Sequence, residues 1–163
     1  MTFRVCFVCS GNICRSPIAE KVLQRRLGDE GLAEQVVVDS AGTGGWHVGE
    51  PADPRAQALL LAHGYPCSHT ARQWQPGWFD QRDLVVALDT GHLSALRRMA
   101  PDSRARHNLV LLREFDPSDD EDSDVPDPYY GGPDGFEEVL AIVEAAMDGL
   151  LDRIREDLDE RTG

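Results

Sequence analysis

The stretch Phe3-Arg4-Val5-Cys6-Phe7-Val8-Cys9-Ser10-Gly11-Asn12-Ile13-Cys14-Arg15-Ser16-Pro17-Ile18 decides how this chain is built. Phe3 to Val8 is short and almost wholly apolar, as a strand buried on both faces should be, and it runs into a turn containing Gly11. A helix is expected at once. Ser16 offers an N-cap, Pro17 suits the first helical position, and Ile18, Val22, Leu23 and Leu27 form an apolar stripe that ends before Gly31.

The alternation continues along the chain. Val36-Val37-Val38 reads as a second strand closed by Ala41-Gly42-Thr43-Gly44-Gly45, and Asp53-Pro54 opens a helix with its stripe at Ala56, Leu59 and Leu60. His63-Gly64-Tyr65-Pro66 stops that helix. Leu84 to Leu88 is the third strand, Leu93, Leu96 and Met99 mark a third helix, and Leu109 to Leu112 is the fourth strand. Phe136, Val139, Leu140, Val143, Met147, Leu150, Leu151, Ile154 and Leu158 define a long final helix, with Asp134 and Glu137 spaced as a capping box. This order predicts an α/β fold of one domain over residues 1–163: a doubly wound, four-stranded parallel sheet with helices on both faces.

With 29 acidic against 16 basic residues, the net charge of -13 argues against nucleic acid or an anionic membrane as a partner. Any anionic ligand must be held by a local positive site. No apolar run approaches the roughly 20 residues of a membrane span, and Met1 to Val8 lacks a signal-peptide pattern, so the expected location is the cytoplasm. Export by a route without a signal peptide leaves no such mark. Cysteines at 6, 9, 14 and 67 are too few and too crowded to staple the domain, which points to thiol chemistry at one of them. Ser118 to Asp124 reads as a solvated acidic loop.

In a sheet of this kind ligands sit beyond the carboxyl ends of the strands where strand order reverses, so the loop after the first strand is the place for chemistry. Backbone N–H groups of Ser10, Gly11, Asn12, Ile13 and Cys14 can converge there on one anion, and Gly11 and Asn12 tolerate left-handed dihedrals. The helix N-terminus adds positive potential, which favours thiolate over thiol at Cys9. Arg15 can curl back so that its planar fork grips a phosphoryl group attacked by that sulfur. Ser16 is placed to donate a hydrogen bond to the thiolate.

Cys9-x5-Arg15-Ser16 at the end of a first strand resembles the low-molecular-weight protein tyrosine phosphatases. Asp39-Ser40-Ala41-Gly42, Trp46, Asp53-Pro54-Arg55-Ala56, His69, Ala71-Arg72, Asp89 and Asp127-Pro128-Tyr129-Tyr130 look like that family's landmarks in the same order. The likeness runs from about Val5 to the last helix, with a longer acidic stretch at 119 to 124 than the family pattern. It implies a flavodoxin-like fold of the phosphotyrosine phosphatase I type and hydrolysis of phosphotyrosine and small aryl phosphates through a phosphocysteine at Cys9. Arg15 would bind the phosphoryl group. Asp127, which lies between the fourth strand and the last helix, would act as general acid and then base. Ser40 and His69 would hold Asn12 in its strained conformation. No metal or other cofactor is implied, and the expected partner is a phosphotyrosine-containing protein as the substrate of a monomeric enzyme.

Trp46, Tyr129 and Tyr130 could wall the cradle against a flat ring; the plainer alternative is loop packing. Asp89 is equally a helix cap or a site residue. His47, His63, His92 and His107 read as surface or packing residues. Cys6 and Cys9 form Cys-x-x-Cys, but Cys6 falls inside a strand, where it behaves as a small buried hydrophobe rather than a thioredoxin-like partner. Two other functions compete. A thiol-dependent arsenate reductase on the same fold would carry two further cysteines downstream, where this chain has only Cys67; a silent phosphotyrosine-binding module would lack Cys9, Arg15 or Asp127. Cys9 is also the thiol most readily oxidised, and Cys14, five residues on, is placed to close a protective disulfide with it.

Overall fold

The computed structural model describes residues 2–117, 124–129 and 131–162, with Pro133 and Thr162 as backbone only. Strands β1 (Phe3–Cys9), β2 (Val36–Gly42), β3 (Leu84–Ala87) and β4 (Leu109–Leu111) form one sheet in the order β2-β1-β3-β4. Every pairing is parallel, with Cys6 opposite Asp39 and Val85, and Val85 opposite Leu109.

Alternation along β1 splits the interior into two layers. Phe3, Val5 and Phe7 point to one face, where α1 (Arg15–Asp29), α2 (Pro54–Ala62) and α5 (Pro133–Thr162) pack through Ile18, Val22, Leu23, Leu60, Leu140 and Met147. Cys6 and Val8 point to the other, against α3 (Thr90–Met99), the short α4 (Ser103–His107) and the aromatics Trp74 and Phe79. Trp74 sits edge-on to Trp78 and Phe79, with ring centroids 5.7 and 4.9 Å away. Each such apolar side chain removed from water contributes about 1.5–3 kcal/mol, which is why continuous apolar strands are stable only when covered on both sides.

Differences from the expected elements have local causes. Helix α1 begins at Arg15 with Cys14 at the N-cap and no side-chain cap, because the Ser16 hydroxyl is engaged with Cys9 instead. Helix α5 starts at Pro133, so Asp134 lies inside its first turn and Glu137 turns outward to His63, 3.0 Å away, rather than closing a capping box. Asp53 does cap α2, accepting the Arg55 N–H at 2.9 Å. Leu112 leaves β4 to begin a 3-10 turn over Leu112–Phe115, and a second such turn covers Pro76–Gln81.

β1 is flanked by β2 on one side and β3 on the other, so the chain leaves it in opposite directions. The crevice this opens beyond its carboxyl end receives the loops after β1, β3 and β4. No described helix is long and apolar enough to cross a membrane.

Candidate active site

The loop from Ser10 to Cys14 is held from outside by its carbonyl groups. Thr43 N–H donates to Cys9 O (2.8 Å), Gly44 N–H to Ser10 O (3.0 Å), and Asp53 N–H to Ile13 O (2.8 Å). His69 Nε2 donates to Asn12 O at 2.7 Å. Among the described residues, the backbone N–H groups of Gly11, Asn12, Ile13 and Cys14 donate to nothing. With the carbonyls drawn outward, these donors are left for an anion at the head of α1.

Asn12 is the hinge of that arrangement and the only described non-glycine residue with positive φ, at 60°. Its side chain is fully used: Nδ2 donates to Ser16 Oγ and Ser40 Oγ, each at 2.9 Å, and Oδ1 accepts the Arg72 N–H at 2.9 Å. The Ser40 hydroxyl donates a hydrogen bond to the buried Glu20, 2.7 Å away, and Glu20 pairs with Lys21. Ser16 Oγ accepts from an amide that can only donate, so its proton is free for Cys9 Sγ at 2.9 Å. The structure therefore brings Ser40 and His69 onto Asn12 and Ser16 onto Cys9. Arg72, one of the landmarks, joins the same network through its backbone N–H, and Glu20 joins it without a sequence signal of its own, since it looks like an ordinary surface charge.

Arg15 is buried beneath the loop. Both Nη1 hydrogens are engaged, with Asp89 Oδ2 and Val125 O, each at 2.9 Å, leaving the Nε–Nη2 edge as the fork for an oxyanion. Asp89 thus does both things open to it, because its Oδ1 also caps α3 through the His92 N–H. Burial works against the Asp89 carboxylate, yet His92 and Arg15 together hold its pKa below the ordinary value. Asp127 Oδ2 lies 3.6 Å from Arg15 Nη2, while its Oδ1 accepts the Tyr129 N–H at 3.0 Å.

These groups open onto a pocket of about 430 Å³ with Cys9, Cys14 and Arg15 among its floor residues and Trp46, Tyr129 and Asp127 at its mouth. Trp46 is 73% exposed, and its ring lies against Gly44, where a Cβ would collide with it. Tyr129 is steadied by Arg55, whose guanidinium lies 5.4 Å from its ring and is gripped by Asp53. Tyr130 and residues 118–123 of the acidic stretch lie outside the described residues. Two histidines read as bland surface or packing residues belong here: His47 lines the pocket and pairs with Glu50 at 2.6 Å, and His92 contacts Ser10 and Arg15. Their signal was position, since both follow strand ends on the loop-bearing edge. His63 stays at the surface beside Glu137.

All four cysteines are free thiols. Cys6 belongs to the sheet face opposite Cys9, and burial, with Asp39 adding to it, drives its pKa well up. Burial, then Asp53 and the Cys9 sulfur, push Cys14 up to about 12, so it is a thiol in neutral solution.

A cysteine sulfur and a guanidinium fork on one pocket, beside a loop with free backbone N–H groups, form an arrangement that can hold a tetrahedral oxyanion against sulfur, and comparison with known proteins gives it a family. The sequence profile described as low molecular weight phosphotyrosine protein phosphatase matches residues 4–160. A low molecular weight protein-tyrosine-phosphatase of Streptomyces coelicolor is 60% identical over 162 residues, covering 99% of each chain. The crystal structure of the Entamoeba histolytica protein tyrosine phosphatase with Hepes in its active site superimposes with a TM-score of 0.90 at 33% identity, covering 96% of this chain and 99% of that one. The Drosophila arginine phosphatase superimposes at 0.85 with 31% identity, covering 92% and 96%. The chain belongs to the low molecular weight phosphotyrosine protein phosphatase family.

Gly42, at the end of β2, touches the outer side of the cradle: a Cβ there would stand 2.6 Å from Ser10 O and 3.0 Å from the Gly11 carbonyl carbon. Both are backbone atoms and cannot swing aside. Gly42→Ala should therefore cost about 1–3 kcal/mol in urea unfolding and weaken binding of inorganic phosphate, whereas Gly77→Ala, with no neighbour at its Cβ position, should do neither.

Proposed function

We propose that this chain hydrolyses phosphotyrosine in proteins, and small aryl phosphates, through a phosphocysteine at Cys9. The observation that carries the reading is the convergence of Cys9, Arg15 and Asp127 on one pocket walled by Trp46 and Tyr129. Cys9 Sγ attacks phosphorus as the bond to the aryl oxygen breaks, and Asp127 gives that oxygen a proton. The phosphoryl oxygens lie on the loop N–H groups and the Arg15 fork, which stabilise the charge of the transition state. Water then attacks phosphorus, Asp127 takes its proton, and the sulfur leaves as a thiolate eased by the Ser16 hydroxyl.

The burial of Cys9 on a pocket whose Trp46 and Tyr129 are exposed supports tyrosine over serine, because a short alkyl phosphate cannot bring its phosphorus to a buried sulfur while its chain stays outside the aromatic walls. One chain supplies every residue of the site, so the reading needs one 1–163 domain and no second copy. The net charge of -13 disfavours nucleic acid, and the reading places the enzyme in the cytoplasm.

Turnover of an aryl phosphate should survive chelator and vanish in Cys9→Ser, with a phosphorylated cysteine trapped by acid quench of the wild type. Activity in Cys9→Ser, or loss with chelator and recovery with metal, refutes the reading. Phosphoarginine offered beside phosphotyrosine in the same assay sets the substrate class.

Asp127→Asn should lose far more rate with phosphotyrosine than with an aryl phosphate whose phenol is strongly acidic, since only the poor leaving group needs the proton. Equal losses on both remove Asp127 from the acid role.

Peroxide should convert Cys9 to a sulfenic acid with release of water, and the Cys14 thiol should then displace a second water to form the disulfide. After peroxide and then a thiol reductant, wild type should regain most of its activity and Cys14→Ser little. Equal recovery denies Cys14 a protective role.

A further inference from the structure

His92 has no part in the reaction as written, yet it is only 5% exposed and stands behind the cradle in the first turn of α3. Its ring meets three groups. Nε2 lies 2.8 Å from Ser10 Oγ and 3.4 Å from Arg15 Nη2. Nδ1 lies 3.1 Å from Asp89 Oδ1, off the line of a good hydrogen bond. Arg15 can only donate, so Nε2 is the acceptor and the proton of the neutral ring belongs on Nδ1, facing the Asp89 carboxylate. Nε2 can then also receive the Ser10 hydroxyl proton. Burial pushes the His92 pKa down to about 4, helped by Arg15 and opposed by Asp89, Asp127 and Asp124, which keeps the ring neutral in neutral solution.

The geometry points to His92 as a positioning residue: its Nε2 sets the tilt of the Arg15 fork and ties the Ser10 hydroxyl away from the pocket, so that fork and loop meet an oxyanion in register. The other two anchors of Arg15, Asp89 and Val125 O, both act on Nη1. His92 is the one that acts on Nη2, beside the edge left for the ligand. Without it, the acceptor nearest Nη2 is Asp127 Oδ2 at 3.6 Å, which draws the guanidinium toward the mouth and engages the proposed acid.

The kinetic half of this inference rests on the proposed phosphatase reaction; the binding half does not. The test compares His92→Leu, which keeps bulk and removes the acceptor, with His92→Gln, whose amide oxygen reaches where Nε2 was. Calorimetric titration with inorganic phosphate should show affinity falling about tenfold in His92→Leu and returning to within about threefold of wild type in His92→Gln. With p-nitrophenyl phosphate, KM should rise more than kcat falls in the leucine variant, and melting temperature should not track the loss. Phosphate affinity in His92→Leu within about twofold of wild type, or a glutamine variant no better than leucine, overturns the inference. If His92→Leu does not fold, Ser10→Ala and Ser10→Thr decide it: phosphate affinity should drop about threefold without the hydroxyl and be kept with it, and no drop in Ser10→Ala overturns the inference. A wild type that binds phosphate but turns over no aryl phosphate refutes the reaction and leaves the titration to judge His92.

Discussion

Everything at the carboxyl edge of the sheet depends on one residue being held where side chains seldom go. Asn12 takes a left-handed φ of 60° because its amide and carbonyl are gripped by Ser16, Ser40, Arg72 and His69 together. A single residue in that region is strained, and pointing several N–H groups at one spot adds mutual repulsion. The rigid frame around it absorbs both: β2 brings Ser40, α1 brings Ser16 and Glu20, and the segment bridged to Gly42 brings Arg72. A cradle already shaped for a tetrahedral anion loses little reorganisation energy when one arrives.

The acidity of the chain sharpens this. A molecule of net charge -13 repels phosphates at long range, so attraction must come from donors too close and too buried to be screened. Arg15 meets that need at 4% exposure, and its charge stays in the interior because Asp89 holds one end closely while the other meets only the His92 ring and, at 3.6 Å, Asp127. A second carboxylate held as closely as Asp89 would have made a satisfied ion pair with nothing left over for a ligand.

The strands and main helices were legible because buried parallel strands are continuous apolar runs and their helices carry clean stripes, as Phe3 to Val8 and Phe136 to Leu158 do. Helix starts were less so. Ser16 looks like a cap by composition, and only the folded loop reveals that its hydroxyl faces Cys9. Cys9, Arg15 and the 10–14 loop could be placed from spacing alone, and Ser40 and His69 came through resemblance. The surrounding titratable groups were harder to read: His92 and His47 showed only by their position after strand ends, and Glu20 by nothing, since such contacts leave no periodic trace.

The separation in sequence of the groups that shape the cradle has a consequence for synthesis on the ribosome. Cys9 and Arg15 emerge early, but the Arg72 N–H that fixes Asn12 lies 60 residues later, and Asp127 later still. A nascent chain that has not yet docked that segment holds an incomplete anion site and lacks the proposed proton donor. Contacts of this range are slow to close, so the setting of Cys9 is not complete until segments far along the chain have docked. Half-made molecules are thereby spared a competent cysteine.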